Sequence, residues 1–401
     1  MKNKVNEMSS FLFVTAVLVV LSALFFLEKR DQTRRLDRIP LRICVAGTRG
    51  KSSVTRMLVS ILRSSGKKVV ARTTGSEPVL HLPDGTEQLL RRKGRPNILE
   101  GKKIVREAVR RKAEVLLTEL MAVRPETLHV EAASLFKPHY LVLTNTRVDH
   151  PDTLGVSPQK IADSLAAAFP PSGMVFLPEE EMNPVFERES EKRRASVVLV
   201  SVDENPFRKK EAPSFEFSVN HRLCAAVARF LHVPEEEIKK GLVGYNPDFG
   251  ALKSWTLGSG RAPGSVLAVS AFAANDPLST RMAIESLKEK TAGYTRRIGL
   301  LNLRADRGDR TRQWIDALLE KNFLKMDEFV LLGEPLRPVR KKLKEAGYSV
   351  PCVFGPHIRP DILMNHLINR FGGGFALIGM GNMAGVASRL VRHWEKMGKR
   401  L

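Results

Sequence analysis

The chain has 401 residues, 43% of them hydrophobic, and its 65 Lys and Arg outnumber 43 Asp and Glu for a net charge of +22. That length supports two or three domains with buried cores, which excludes a short disulfide scaffold or a disordered tail. The charge favours an anionic partner, whether nucleotide, nucleic acid, acidic polymer or acidic lipid surface, and does not choose among them. Cys44, Cys224 and Cys352 lie far apart with no CxxC pair, so neither a closed zinc site nor cysteine chemistry is indicated, and a reducing compartment is expected.

Residues 11–27, FLFVTAVLVVLSALFFL, form an uncharged apolar run at the lower limit for a helix that spans a bilayer. Lys29, Arg30, Arg34, Arg35 and Arg38 follow it, against Lys2 and Lys4 before it, and this bias puts the bulk of the chain on the cytoplasmic side. A cleaved signal peptide is the competing reading, disfavoured by the length of the run and by the lack of a small-x-small cleavage site after it. From residue 41, short apolar β-branched runs alternate with amphipathic stretches, which predicts an α/β protein with a largely parallel sheet. Strands are predicted at Leu41–Ala46, 69–72, 115–118, 140–144, 174–177 and 197–200, and helices at 53–65, 98–112, 125–136 and 158–169. Residues 203–213 read as a connector, 220–231 as a short helix and 241–264 as a Gly/Pro/Ser-rich joint. Further strands are predicted at 266–269, 297–301, 328–332, 350–353 and 375–378. The plan is an N-terminal membrane anchor with a basic juxtamembrane segment (1–38), a first α/β domain with its connector (39–262) and a C-terminal α/β domain (263–401).

The first strand runs into Gly47, Thr48, Arg49, Gly50, Lys51, Ser52 and Ser53 ahead of a helix, the order a phosphate-binding loop requires. Glycines let the backbone approach an anion, and the amides at the helix N-terminus point at it. Lys51 is placed to meet the β- and γ-phosphates and the Ser52 hydroxyl to help hold Mg²⁺, so ATP and Mg²⁺ are the expected cofactors. The further glycine of the standard pattern, at Val45 or Ala46 here, is absent, and a plain glycine-rich turn is the bland alternative. Glu119 closes the apolar run 115–118, at the strand end where α/β sheets place ligands, and its carboxylate can also hold Mg²⁺.

The compact form G-T-x-G-K-[ST] is similar to the loop of Mur ligases, the ATP-dependent amide-forming enzymes of cell-wall synthesis. With Val54-Thr55-Arg56, then Arg92-Lys93-Gly94-Arg95-Pro96-Asn97-Ile98 and Glu119-Leu120-Met121-Ala122-Val123-Arg124-Pro125-Glu126, the chain resembles the ligase-subunit family of poly-γ-glutamate synthases (CapB/PgsB type). That branch of the Mur ligase superfamily also has an N-terminal membrane segment. The resemblance runs, with gaps, from the anchor to Gly379-Met380-Gly381-Asn382. It implies a Mur-ligase-like P-loop domain with a parallel-rich sheet and a second, Rossmann-like α/β domain. Thr144-Asn145-Thr146-Arg147-Val148-Asp149-His150-Pro151-Asp152 is similar to the Mur pattern T-N-x-x-x-D-H-x-D, which implies that His150 binds a second metal ion with Asp149 in its immediate shell. Many Mur ligases carry a carbamylated lysine further on, at a spacing that here falls near Leu165; Lys160 does not fit it, so how that metal is held stays open.

The resemblance also implies that Asn220, Asn275, Asp306 and Arg307 grip the adenine and ribose between two domains, through Asn220-His221, Ala273-Ala274-Asn275-Asp276-Pro277 and the run from Asn302 to Arg310. On spacing alone these residues serve equally as caps and turns. Gly379, Gly381 and Gly385 lack the remaining features of a dinucleotide fingerprint and read as a tight strand-to-helix turn. Residues 91–112 hold ten Lys and Arg against Glu100 and Glu107, around a stripe of Ile98, Ile104, Val105, Ala108 and Val109. They read as a solvated helix face or as a track for an anionic chain, which polyglutamate would fit. Four Tyr, three Trp and no recognition motif argue against nucleic acid.

The expected activity is an ADP-forming acid–amino-acid ligase working through an acyl phosphate, with Lys51, Glu119 and His150 catalytic and Ser52, Glu119 and His150 on metal. The resemblance implies glutamate units, a γ-linked polymer, a single-pass location in the cell membrane and separate membrane subunits for export. A Mur-like ligase for another amino acid and carboxylate would keep every motif. A membrane-tethered P-loop NTPase that drives a partner is the reading from a different class.

Overall fold

The computed structural model describes residues 2–401 apart from 76, 93, 95, 147–156, 202, 204, 205, 208–217, 259–264, 275, 286, 288–290, 321 and 322; for 2–10, 218 and 273 it describes the backbone alone. The chain divides into two compact units, Met1–Asn246 and Pro247–Leu401.

The first unit opens with a 35-residue helix, α1 (Lys2–Leu36), the one helix among the described residues long and apolar enough to cross a membrane. A doubly wound sheet follows: β1 (Leu41–Ala46), β2 (Val69–Thr73), β3 (Val79–His81), β4 (Glu87–Leu89), β5 (Val115–Glu119), β6 (Tyr140–Leu143), β7 (Met174–Pro178) and β8 (Ser196–Val200) stand in the order β4-β3-β2-β5-β1-β6-β7-β8. All neighbours are parallel except the β2-β3-β4 edge. The central parallel strands of such a sheet are covered on both faces, which is why β1, β5, β6 and β7 read as nearly continuous apolar runs. Cys44 and Ala46 of β1 join one core with Leu36, Ile104, Leu128, Leu135 and Ile161, whereas Ile43 and Val45 join the other with Val54, Leu58, Leu223 and Ile238. The first face is thus covered by the end of α1, α3 (Glu100–Arg110), α4 (Pro125–His129) and α5 (Pro158–Ala166), and the second by α2 (Lys51–Ser64), α7 (Ser218–Phe230) and α8 (Glu235–Gly244). A further helix, α6 (Pro184–Arg193), starts on the Asn183 cap, whose side chain accepts from the Val185 and Phe186 amides. The expected helix 125–136 is α4 followed by a wider turn, Val130–Phe136, closed by the Lys137 amide on the Ala132 carbonyl.

The second unit carries β9 (Lys253–Leu257), β10 (Val266–Ser270), β11 (Arg296–Leu303), β12 (Glu328–Gly333), β13 (Cys352–Phe354), β14 (Phe375–Gly381) and β15 (Lys399–Arg400) in the order β13-β12-β11-β14-β10-β9-β15. Its helices are α9 (Pro277–Glu285), α10 (Gly308–Leu319), α11 (Arg337–Glu345), α12 (Pro360–Phe371) and α13 (Val386–Met397). The break between units lies ahead of the expected 262/263 boundary, because β9 pairs antiparallel with β10 and so belongs to this sheet. Residues 241–264, expected to be an irregular joint, therefore contain a strand anchored by Trp255, which packs 5.9 Å from Trp394 between ring centroids. The expected connector 203–213 lies largely outside the described residues. All three cysteines are free and buried, and burial pushes the Cys44 thiol up to about 12, away from any nucleophilic role at neutral pH.

Candidate active site

The sheet of the first unit has its switch point at β1: the chain goes to β2 on one side of it, and β6 lies on the other. The crevice beyond the carboxyl ends of the strands opens where successive connections diverge. Gly47-Thr48-Arg49-Gly50 occupies that point and leads directly into α2. Gly47 has φ +126°, and a Cβ there would stand 2.1 Å from Thr144 Oγ1, so no other residue fits. Gly50 caps α2 in the left-handed region, so the N-terminus of that helix, the end that favours an anion, faces the crevice. Lys51 folds back over the loop, its Nζ donating to the Gly47 carbonyl at 2.7 Å and the Thr48 carbonyl at 3.4 Å.

Register places Glu119 on β5 beside Val45 on β1, two residues before the loop begins at Gly47. Glu119 is buried, and its Oε2 accepts from Ser52 Oγ at 2.8 Å and from the Thr74 amide at 2.7 Å. Two hard oxygen donors, a hydroxyl and a carboxylate, thus share one corner beside the loop amides. Magnesium favours such a set, held by one or two protein oxygens together with phosphate oxygens. The residues therefore fit ATP and Mg²⁺: Ser52 and Glu119 would hold the metal, and Lys51 and the α2 amides the phosphates. His150, Asp149 and Asn275 lie outside the described residues. Among those that are described, no group of three His, Cys, Asp or Glu is placed to hold a metal.

The structure adds residues that the sequence reading left without a role. Thr144 and Asn145, at the end of β6, stitch the loop down: Thr144 Oγ1 donates to the Arg49 carbonyl at 2.6 Å, and Asn145 Nδ2 donates to the same oxygen at 3.0 Å. In return Asn145 Oδ1 accepts from Thr48 Oγ1 at 2.7 Å and from the Arg49 amide at 3.2 Å. Their signal was present, because a polar pair ends the strand next to β1. Arg72 and Glu131 had none. Both are fully buried and paired at 2.6 Å; Arg72 also donates to the Glu119 carbonyl at 2.7 Å, and Glu131 Oε2 takes the Met121 and Ala122 amides at 3.0 and 2.9 Å. The pair pins both sides of the turn that carries Glu119.

Asn220, on α7, is buried against the loop: a Cβ on Gly50 would stand 3.1 Å from its Oδ1. Beside it His221 is fully buried, its ring edge-on to Phe207 at 5.4 Å, and neither ring nitrogen has a hydrogen-bond partner among the described residues. Burial pulls its imidazole down to about 4, so it is neutral at physiological pH.

In the second unit a cavity of about 300 Å³ lies beyond the ends of β11, β12 and β14, with Asn302, Arg304, Asp306, Gly333, Pro356 and Gly385 in its wall. Arg304 grips Asp306 through two bonds, at 2.9 and 2.6 Å, which hold the Asp306 carboxyl below its usual range. Arg307 stands one step on, at the start of α10. Asn302 Nδ2 donates to the Asn382 carbonyl at 2.6 Å and the Ala384 carbonyl at 2.9 Å, closing the turn between β14 and α13.

A doubly wound sheet with this loop, a glutamate at the adjoining strand end and a second α/β unit define a Mur ligase. The model of the Mur ligase middle domain matches residues 45–244, and that of the poly-gamma-glutamate synthase CapB C-terminal domain matches 259–397. The PGA synthase CapB of Bacillus subtilis (strain 168) is 30% identical over 385 residues, covering 95% of this chain and 96% of its own length. The capsule biosynthesis protein CapB of Bacillus anthracis is 28% identical over 397 residues, 95% of this chain and 82% of its own. Among solved structures, the bifunctional folylpolyglutamate synthase/dihydrofolate synthase of Yersinia pestis, complexed with AMPPNP and Mn, superposes with a TM-score of 0.67 at 14% identity, over 92% of this chain and 91% of that one. The chain belongs to the CapB family of the Mur ligase superfamily and is an ATP-dependent amide ligase.

Proposed function

We propose that the enzyme extends a γ-linked glutamate polymer, activating a glutamyl carboxylate with ATP and joining it to the amine of the next unit. Support comes from the family membership together with one observation, the shared corner made by Ser52 and Glu119 beside the Gly47 loop. Transfer of the γ-phosphoryl group to a carboxylate oxygen gives an acyl phosphate and ADP. The amine then attacks the acyl carbon, phosphate leaves with the bonding pair, and the amine's proton is released to base or solvent. Lys51 and the first-turn amides of α2 bind the β- and γ-phosphates and spread the charge that develops on them. A bound Mg²⁺ offsets repulsion between phosphate and carboxylate. Glu119, fixed by the Thr74 amide and by Arg72 on its own carbonyl, accepts from Ser52, and the two side chains would hold that ion. His150 is assigned to a second metal, and Asn220, Asn275, Asp306 and Arg307 to the nucleotide.

The segment 1–38 is read as an anchor that keeps the ligase on the cytoplasmic face of the membrane, beside separate subunits that export the polymer. The test is phosphate release with mass detection of products, using purified full-length protein, ATP, Mg²⁺ and single amino acids. Glutamate-dependent release and a γ-linked amide, both lost in Lys51→Ala, are expected. Phosphate release without amide product for every amino acid would leave a tethered NTPase.

A further inference from the structure

The helix that carries the apolar run does not end at a flexible tether. Phe25, Phe26 and Leu27 are exposed, yet within the next three turns α1 is built into the first unit. Gln32 is buried and donates to the Leu135 carbonyl at 2.9 Å, Thr33 takes Lys137 Nζ at 3.0 Å, and Leu36 is fully buried with its carbonyl held by Arg42 at 2.9 Å. One rigid element thus links the apolar run to the core, so the nearest surface of the unit is fixed relative to any bilayer the run enters.

That surface is the start of α3, which packs on α1. Glu28 pairs with Lys102 at 2.5 Å, and about two turns further along α1 Leu36 joins the core to which Val105 and Ala108, further along α3, also belong. The two helices therefore run parallel. At 1.5 Å per residue, Leu99 projects about 4.5 Å beyond Lys102 and stands level with Phe25 and Phe26 of the apolar run. Leu99 is 50% exposed, and Lys103, Arg106, Lys29 and Arg30 are exposed beside or just behind it. An exposed leucine at the depth of the apolar run, backed by cations one to two turns deeper, matches the layering of a bilayer surface, acyl chain first and headgroup phosphate next.

We infer that the N-terminal end of α3, with Lys29 and Arg30 of α1, is a seat for anionic phospholipid headgroups that fixes the ligase unit against the membrane. The inference rests on reading α1 as the anchor. All three native cysteines are buried, so a Leu99→Cys variant of the full chain takes a fluorophore at one place. It is reconstituted in phosphatidylcholine vesicles with and without phosphatidylglycerol, and quenching by aqueous acrylamide is measured. Quenching is expected to fall when phosphatidylglycerol is present. Lys103→Gln and Arg106→Gln are each expected to raise the phosphatidylglycerol content needed for half-shielding by about fivefold. ATP-dependent phosphate release in detergent shows that these variants are folded. Equal quenching in both lipids overturns the inference, leaving a solvated face if it matches the level in detergent and a depth set by the anchor alone if it is lower. Shielding by added poly-γ-glutamate on neutral vesicles, without an effect of phosphatidylglycerol, overturns it in favour of a track for the polymer. A chain that an alkaline carbonate wash strips from neutral vesicles refutes the anchor, and the inference falls with it.

Discussion

Both units end their parallel strands in glycines and polar residues, yet they use them in opposite ways. Beyond β1 the loop runs straight into the N-terminus of α2, with Lys51 folded over it and with Thr144 and Asn145 bonded to the Arg49 carbonyl. Beyond β14 the turn is closed from within, because the Asn302 amide takes up the Asn382 and Ala384 carbonyls, and Arg304 and Asp306 neutralise each other at the cavity wall. A glycine-rich turn after a strand is therefore not in itself an anion site. What distinguishes one is whether a helix N-terminus, a lysine and metal-binding oxygens converge beside it.

The sharpest way to break the first strand end is to remove its support. Glu131→Ala leaves Arg72 buried and unpaired and is expected to cost about 3–5 kcal/mol in urea unfolding, whereas the double change Arg72→Met with Glu131→Leu recovers much of that stability. If the double variant folds but needs more Mg²⁺ for half-maximal phosphate release, the pair acts by positioning Glu119. Next in size, Lys51→Ala is expected to lower kcat for glutamate-dependent phosphate release by about 10²–10³-fold without moving the unfolding midpoint.

A smaller effect comes through pH. In the unfolded chain His221 titrates near the ordinary histidine value of about 6.5, and in the folded protein at about 4. Its contribution is complete above the unfolded value and is lost as pH falls toward the folded one, by on the order of 3 kcal/mol at most. Urea midpoints at neutral and mildly acidic pH check this, and His221→Phe should flatten that part of the slope. The smallest change is expected in the second unit. Arg304→Ala breaks a pair that is 36% and 62% exposed, so stability should shift by less than about 1 kcal/mol. Asp306→Asn should raise the KM for ATP with kcat nearly unchanged; an unaltered KM would leave the cavity wall a purely structural feature.

The parallel strands were legible because burial on both faces writes them as apolar runs, and the loop because its glycines and lysine adjoin the first of them. The edge strands β3 and β4 were not: β3, Val79–His81, is buried but too short to carry a pattern, and β4, Glu87–Leu89, is exposed and has no apolar run. Strand β9 was hidden by the glycines and prolines around it, although Lys253, Trp255 and Leu257 alternate with polar Ser254 and Thr256. Glu119 and Ser52 were legible by position, and the structure brings them to 2.8 Å. Arg72 and Glu131 were not, because an ion pair between residues far apart in sequence leaves no local pattern; only the folded register of β2 against β5 brings the arginine beside Glu119.

The docked end of α1 bears on how the enzyme is to be handled in the laboratory. A truncation meant to remove the apolar run would ordinarily take everything through the basic residues that follow it, to Arg38. Here that cut takes away Gln32 and Leu36, which fill the core under Leu135 and Arg42, and would leave a cavity where Leu36 was. Such a loss from a packed interior costs about 2–5 kcal/mol. The clean place to cut is the single turn between Leu27 and Gln32, where the greasy stretch has ended and the last part of the helix still serves as the first piece of the catalytic unit.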